Sequence, residues 1–276
     1  MLTDYHVHLR PDDADTPASE YFTAANAERY REAASERGIE ELGVAEHVHR
    51  FVQALDVWTH PWWRQNAHDD IDAYCEFVRE QTDLRLGIEA DYVPGREDRM
   101  ATLLEAREWD YVVGSVHFVR DEAVDMRDTD WDIWRSTDPD KVWRRYFETL
   151  GEAARTGMFD ILAHPDLVKV WGKGAPAPDG DLRRYYELAM DGIAESDVAI
   201  EVSTAGLRKP IGEVYPDRAF LEMCLEAGRP VALSSDAHTP EDLGHGYDAT
   251  LEWLLDIGVS EVAVFDGGTR RLEALG

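Results

Sequence analysis

Short β-type runs recur along the whole chain, and helix-type patterns fill most of the gaps between them. The β-type runs fall at 3–6, 42–45, 84–88, 111–116, 161–163, 199–202, 231–233 and 262–265. Between them, segments 27–37, 71–81, 99–108, 142–155, 182–195, 218–227 and 242–256 carry apolar residues at three- and four-residue spacing, the signature of a helix with one buried face. Glu36-Arg37-Gly38, Arg155-Thr156-Gly157 and Glu226-Ala227-Gly228 each put a glycine where a helix needs a left-handed residue to end, just before the next β-run. Strands alternating with helices of this length specify βαβ units and a parallel sheet. Seven or eight such units in 276 residues predict an α/β fold closed into a β/α barrel, with residues 1–276 forming a single domain. An open doubly wound sheet is the alternative, but the glycine-rich nucleotide fingerprint after the first strand is absent.

The ends of these β-runs carry the chemistry. The first ends in His6-Val7-His8, the second in Glu46-His47, the third in Glu89-Ala90-Asp91 and the fourth in Ser115-Val116-His117. The fifth ends in His164-Pro165-Asp166, the sixth in Glu201, and the seventh in Ser235-Asp236-Ala237-His238. In a β/α barrel all the C-terminal strand ends converge on one rim, where such folds build their active sites. His6 and His8 lie two apart on a strand and so share a face, as do Asp236 and His238. Two imidazoles, or an imidazole and a carboxylate, on one face chelate a divalent ion. Such nitrogen and oxygen donors suit Zn, Mn or Fe. The remaining histidines, His49, His60, His68 and His245, lie in loops or helices and read as solvated or pocket-rim residues.

The charge narrows the partners. Lys and Arg number 28 against 57 Asp and Glu, a formal net charge of −29. That surplus argues against nucleic acid and against an anionic membrane surface. No membrane-length apolar run or signal-like segment is present, and the two cysteines, Cys75 and Cys224, make no disulfide framework. A cytoplasmic location is the expectation. No catalytic-serine elbow or phosphate loop appears.

The strand-end series His6-x-His8, Glu46-His47, Gly87-Ile88-Glu89-Ala90-Asp91, Ser115-Val116-His117, Ala163-His164-Pro165-Asp166 and Ser235-Asp236-Ala237-His238 resembles the PHP (polymerase and histidinol phosphatase) superfamily. Glu201 to Pro210 and Gly212 to Pro216 resemble its histidinol-phosphatase branch in particular. The resemblance runs from residue 2 to about residue 250. It implies a distorted (β/α)7 barrel, TIM-barrel-like, holding two to three divalent ions in a trinuclear centre. One ion would take His6, His8, Glu89 and Asp236. A second would share Glu89 and add His117 and His164. A third would take His47 and His238. Many relatives carry a further histidine where this chain has Ala14, flanked by Asp12, Asp13 and Asp15; one of these aspartates replaces it, or the third site is weak.

The implied partner is a small phosphorylated metabolite, and the implied reaction is phosphomonoester hydrolysis, with L-histidinol phosphate of histidine biosynthesis as the leading substrate. A metal-bound hydroxide would attack phosphorus in line, with Asp236 and His238 in the catalytic set. Arg208 and Lys209 follow the sixth strand and are expected to contact the phosphate, with Arg50 a second candidate. Asp91, Asp166 or a metal-bound water would protonate the leaving group. Trp58, Trp62 and Trp63 either wall the pocket or pack in the core. A sugar or nucleotide phosphate is the alternative substrate. A metal-dependent amidohydrolase also opens with His-x-His, but none of the four lysines stands at a strand end. A non-catalytic metal-binding protein is the remaining alternative. Three divalent ions would add about six positive charges at the rim, so the acidic surface does not bar a small anionic ester.

Overall fold

The computed structural model describes residues 1–11, 16–175 and 177–275. Seven parallel strands lie side by side in sequence order: β1 (Thr3–Asp4), β2 (Glu41–His47), β3 (Arg85–Asp91), β4 (Tyr111–Ser115), β5 (Ile161–Leu162), β6 (Ala199–Ser203) and β7 (Val231–Ser234). Each is followed by a helix, in turn α1 (Ala24–Glu36), α2 (Ile71–Gln81), α3 (Glu97–Glu105), α4 (Pro139–Arg155), α5 (Arg183–Glu195), α6 (Arg218–Glu226) and α7 (Tyr247–Asp256). Beyond the regular ladders, the first and last strands meet. Val7 bridges Ala237 in parallel, and the His8 amide donates to the Ala237 carbonyl at 2.8 Å. The Asp4 carboxylate accepts from the Ser235 amide at 2.9 Å and from its hydroxyl at 2.5 Å. The sheet is therefore a nearly closed (β/α)7 barrel.

Local sequence accounts for the helices. Asp70 caps α2 by accepting from the Asp72 and Ala73 amides, both at 2.9 Å. Asp138 does the same for α4, ahead of a proline at its first turn, and Val142, Trp143, Tyr146, Phe147 and Leu150 then form its buried stripe. Gly38, Gly157 and Gly228 take the expected left-handed conformation at helix ends, with φ of 71°, 69° and 75°. The last helix is shorter than the 242–256 pattern suggests. Gly244 and Gly246 both have positive φ, and the chain turns there before α7 begins at Tyr247.

The eighth β-type run is not an eighth barrel strand. Glu261–Asp266 pairs antiparallel with Thr269–Ala274 in a separate hairpin, and that second strand is too polar to stand out in the sequence. Phe265 of this hairpin packs edge-on against Tyr5 at 5.4 Å between ring centroids, and Tyr5 packs against Tyr111 at 5.0 Å. The Phe265 amide also donates to the Tyr5 hydroxyl at 3.2 Å. Around these three rings the barrel offers only small or β-branched side chains, among them Ala45, Val113, Ala163, Ala199 and Ala232. A Cβ at Gly43 or Gly87 would lie 2.3 Å from Tyr111 atoms, so these glycines on β2 and β3 make room for the ring.

The aromatic plug beneath the barrel makes a direct prediction. Phe265→Ala removes a buried ring from a cluster with no neighbour able to fill the gap and should lower unfolding free energy by about 3–4 kcal/mol. Chemical denaturation measures this; a loss under about 1 kcal/mol would contradict the plug.

Candidate metal centre and substrate cavity

Along β3 the side chains alternate in direction, so Gly87, Glu89 and Asp91 face the barrel axis in succession. Glu89 is buried at the centre of the mouth. Its Oε1 lies 3.4 Å from His117 Nε2 and 3.3 Å from His164 Nε2. Its Oε2 lies 3.3 Å from His6 Nε2, 3.7 Å from His8 Nε2, and in contact with His47 Nδ1. Asp236 approaches from the other side, with Oδ1 3.8 Å from His6 Nε2 and 3.4 Å from His8 Nε2. His8 stacks on His47 at 4.2 Å and on His238 at 4.3 Å. All eight residues expected as metal ligands thus meet in one cluster.

Seven of the eight supply donor atoms to three groups within 4.8 Å: His6, His8 and Asp236; His6, Glu89 and His164; and His8, His47 and His238. The first group agrees with three of the four ligands that the resemblance implies for one ion. The second has His6 where the resemblance implies His117, which lies 3.4 Å from Glu89 and belongs to none of the three. The third adds His8 to the implied pair His47 and His238, because His8 is stacked between them. His6 Nε2, His8 Nε2 and Asp236 Oδ1 are buried and make no hydrogen bond. Unsatisfied donors and acceptors facing one another in a dry site are what a divalent cation would satisfy, so these residues fit the implied ions. Asp12, Asp13, Ala14 and Asp15 lie outside the described residues.

Several outer groups orient the inner ones. Glu201 lies 2.8 Å from His6 Nδ1, accepts from the Ser234 hydroxyl at 2.7 Å, and accepts from the His164 amide at 2.5 Å. Asp91 lies 2.7 Å from His117 Nδ1. Such carboxylates fix the ring orientation and leave the opposite nitrogen for a metal. His164 and Asp236 both have left-handed backbones, with φ of 25° and 49°. For residues other than glycine this costs of order 1–3 kcal/mol each and persists only where neighbours enforce it. Here Glu201 and the Tyr146 hydroxyl, 3.4 Å from the His164 carbonyl, hold the first. Arg208 holds the second, donating to the Ser235 and Asp236 carbonyls at 2.8 and 3.0 Å.

Charge balances within the cluster. Burial alone would raise the Glu89 and Asp236 carboxyls, but the imidazoles around them, His47 and His6 for Glu89 and His6 and His8 for Asp236, hold both well below the usual range. Burial opposes a charge on His117, yet Asp91 and Glu89 outweigh it and raise its pKa to about 10. Burial drives His47 the other way, well below its ordinary value.

A cavity of about 290 Å³ opens beside the cluster, bordered by His47, His117, His164, Asp236 and His238. Lys209 lines it; Arg208, committed to the carbonyls after β7, is not on its wall. Arg50 borders the cavity, and so does Arg10, which ion-pairs with Asp69 at 2.8 Å. Of the three tryptophans only Trp62 lines it; Trp58 and Trp63 pack edge-on against each other in the core. His49 also lines it, stacked on His47 and tilted against Trp62. His60 is buried, and His68 and His245 are exposed. Neither Asp91 nor Asp166 borders the cavity. Asp91 is taken up by His117, while Asp166 pairs with Lys169 at 2.9 Å and accepts from the Asp217 amide. Arg10, Phe118, Asp125 and Trp171 were not singled out from sequence; all four line the cavity from segments that follow the barrel strands, Phe118 from a two-residue strand paired with Glu122–Ala123.

The family described as "PHP domain" matches residues 4–205. A "Probable histidinol-phosphatase" of Deinococcus radiodurans is 31% identical over 264 residues, 93% of this chain and 94% of that protein. The "Histidinol-phosphatase" of Bacillus subtilis is 24% identical over 273 residues, covering 90% of this chain and 98% of its own. Among solved structures, histidinol phosphate phosphatase from Lactococcus lactis, complexed with Zn, L-histidinol and phosphate, superposes with a TM-score of 0.69 at 17% identity and 98% coverage of both chains.

His117 supplies a pH test on the metal-free protein. Its pKa is about 10 when folded against an ordinary value of 6.5, so its contribution to stability is complete below about pH 6.5 and fades as pH rises toward 10. Asp91→Asn should lower the His117 pKa in an NMR titration and flatten that part of the stability profile. An unchanged titration in the variant would show that Asp91 is not the partner responsible.

Proposed function

Since this chain belongs to the PHP domain family, we propose that it is a metal-dependent phosphomonoesterase that hydrolyses L-histidinol phosphate to L-histidinol and phosphate. The observation that carries this reading is the cluster of seven strand-end residues in three candidate metal groups, with His117 against Glu89 as an eighth, beside a cavity large enough for a small metabolite. His6, His8, His47, Glu89, His117, His164, Asp236 and His238 would hold two to three divalent ions such as Zn, Mn or Fe. Bound there, such ions would supply Lewis acidity, lowering the pKa of water and neutralising phosphoryl oxygens.

The chain's own groups do the rest. Arg10 and Lys209 bring positive charge to the cavity wall for the phosphoryl group, and Arg10 is held in place by Asp69, which also accepts from the Tyr21 hydroxyl at 2.7 Å. Asp236 Oδ1, buried and without a hydrogen bond, would be one of the ligating atoms, which places Asp236 in the catalytic set as a group that orients the attacking water. Arg208 acts through Asp236 by fixing its backbone. Trp62, Phe118 and Trp171 give the cavity an apolar side suited to the imidazole of the substrate. The likeness in sequence to histidinol phosphatases over nearly the whole chain favours this ester above sugar or nucleotide phosphates. No helix among the described residues is long and apolar enough to cross a membrane, and the free thiols of Cys75 and Cys224 suit a reducing, cytoplasmic setting. A net charge of −29 keeps the surface unsuited to nucleic acid.

Phosphate release from L-histidinol phosphate is the test, alongside a panel of sugar and nucleotide phosphates. Chelation should abolish turnover and divalent ions should restore it, while His6→Ala and Asp236→Ala should each lower kcat by about a thousandfold or more in folded protein. Full activity in metal-free protein, or a clear preference for another ester, would contradict the proposal.

A further inference from the structure

The cavity contains one carboxylate that neither the metal cluster nor its orienting shell uses. Asp125 lies on the same wall as His117 and His164, in the segment after the short ladder of Phe118–Val119 with Glu122–Ala123. Its Oδ1 is buried and makes no hydrogen bond. Among the described residues, no lysine or arginine forms an ion pair with it.

The backbone that carries Asp125 is held in place. The preceding residue, Val124, is fastened on both sides: its amide donates to the His117 carbonyl at 2.9 Å, and its carbonyl accepts from the Trp134 and Trp171 indoles at 2.7 and 2.9 Å. The residue as a whole is half-buried, but shielding its Oδ1 without a lysine or arginine partner is costly, and burial pushes the Asp125 carboxyl above its usual range against the opposing influence of His117. A cation arriving in the cavity would relieve that cost.

The proposed substrate carries such a cation. In L-histidinol phosphate the ester oxygen and the amine stand on adjacent carbons, and the amine is protonated at neutral pH. An ester whose phosphoryl group sits against the metal cluster must therefore bring its ammonium close to the same end of the cavity, whereas its imidazole continues toward the aromatic wall. Asp125, beside His117 and His164, is on that near end.

We propose that Asp125 binds the substrate ammonium and makes this enzyme selective for phosphate monoesters of 2-amino alcohols. The inference rests on the histidinol-phosphate reading and sharpens it: the metal cluster recognises the phosphate, Asp125 the charge next to it, and Trp62, Phe118 and Trp171 the ring.

The test compares L-histidinol phosphate with its des-amino analogue, 3-(imidazol-4-yl)propyl phosphate, on the metal-loaded enzyme. Wild-type kcat/KM should favour the aminated ester by about 30-fold or more, as expected for a charge-assisted contact in a buried site. Asp125→Asn should bring that ratio to within about threefold of unity, and Asp125→Glu should retain part of it. A merely structural aspartate would lower both values together and leave the ratio intact, and that result overturns the proposal. So does loss of bound metal in Asp125→Asn, which would make the residue a ligand. Failure of the underlying reading is visible separately, as wild-type enzyme that ignores both imidazole esters while hydrolysing sugar or nucleotide phosphates, and it overturns the proposal as well.

Discussion

Glu89 sits fully buried on the barrel axis with five imidazoles around it, and the rest of the molecule is arranged to make that tolerable. A lone carboxylate in such a place would protonate or destabilise the fold. The histidines that surround it come from β1, β2, β4 and β5 and so can meet only if the sheet curls into a barrel. The strand that delivers Glu89 shows how economically this is done. Its period of two puts Gly87, Glu89 and Asp91 on one face. Gly87 leaves room for the Tyr111 ring, Glu89 gathers the cluster, and Asp91 orients His117. Three layers of the barrel, from plug to centre to outer support, are set by alternate residues of a single strand.

The plug and the centre depend on each other. Tyr5, Tyr111 and Phe265 fill the lower barrel, so the polar layer above them rests on a solid apolar floor. Above, the backbone departs from ordinary strand geometry at His164 and Asp236, where the chain takes left-handed turns. Such turns are sustained because Glu201, Tyr146 and Arg208 tie the backbone or the adjoining groups in place. Arg208 illustrates how a charge near a site can act at one remove: its guanidinium grips carbonyls after β7 rather than facing the cavity.

Much of this architecture was legible in the residues. The strand-end histidines and carboxylates follow a period of two, which is short-range and survives in the sequence, and the helix patterns located most helices, with α2 matching at both ends. Other features were hidden for physical reasons. The strand Thr269–Ala274 is largely exposed and charged, so its pairing with Glu261–Asp266 leaves no hydrophobic alternation to read. Asp125 and Arg10 owe their importance to contacts between segments distant in sequence, on irregular backbone where no periodicity applies. Arg208 was expected to contact the phosphate, but its guanidinium donates to the Ser235 and Asp236 carbonyls, a pairing between segments distant in sequence that no local pattern announces.

The central claim is that a buried carboxylate and its ring of histidines form a divalent-metal centre. Metal content of purified Glu89→Gln, measured by elemental analysis beside the wild type, tests it most directly, because the substitution keeps the shape of the side chain and removes its charge. The wild type should carry two to three divalent ions per chain, and the folded variant should lose at least one of them. A variant that retains the full complement, or a wild type that binds none, would contradict the account.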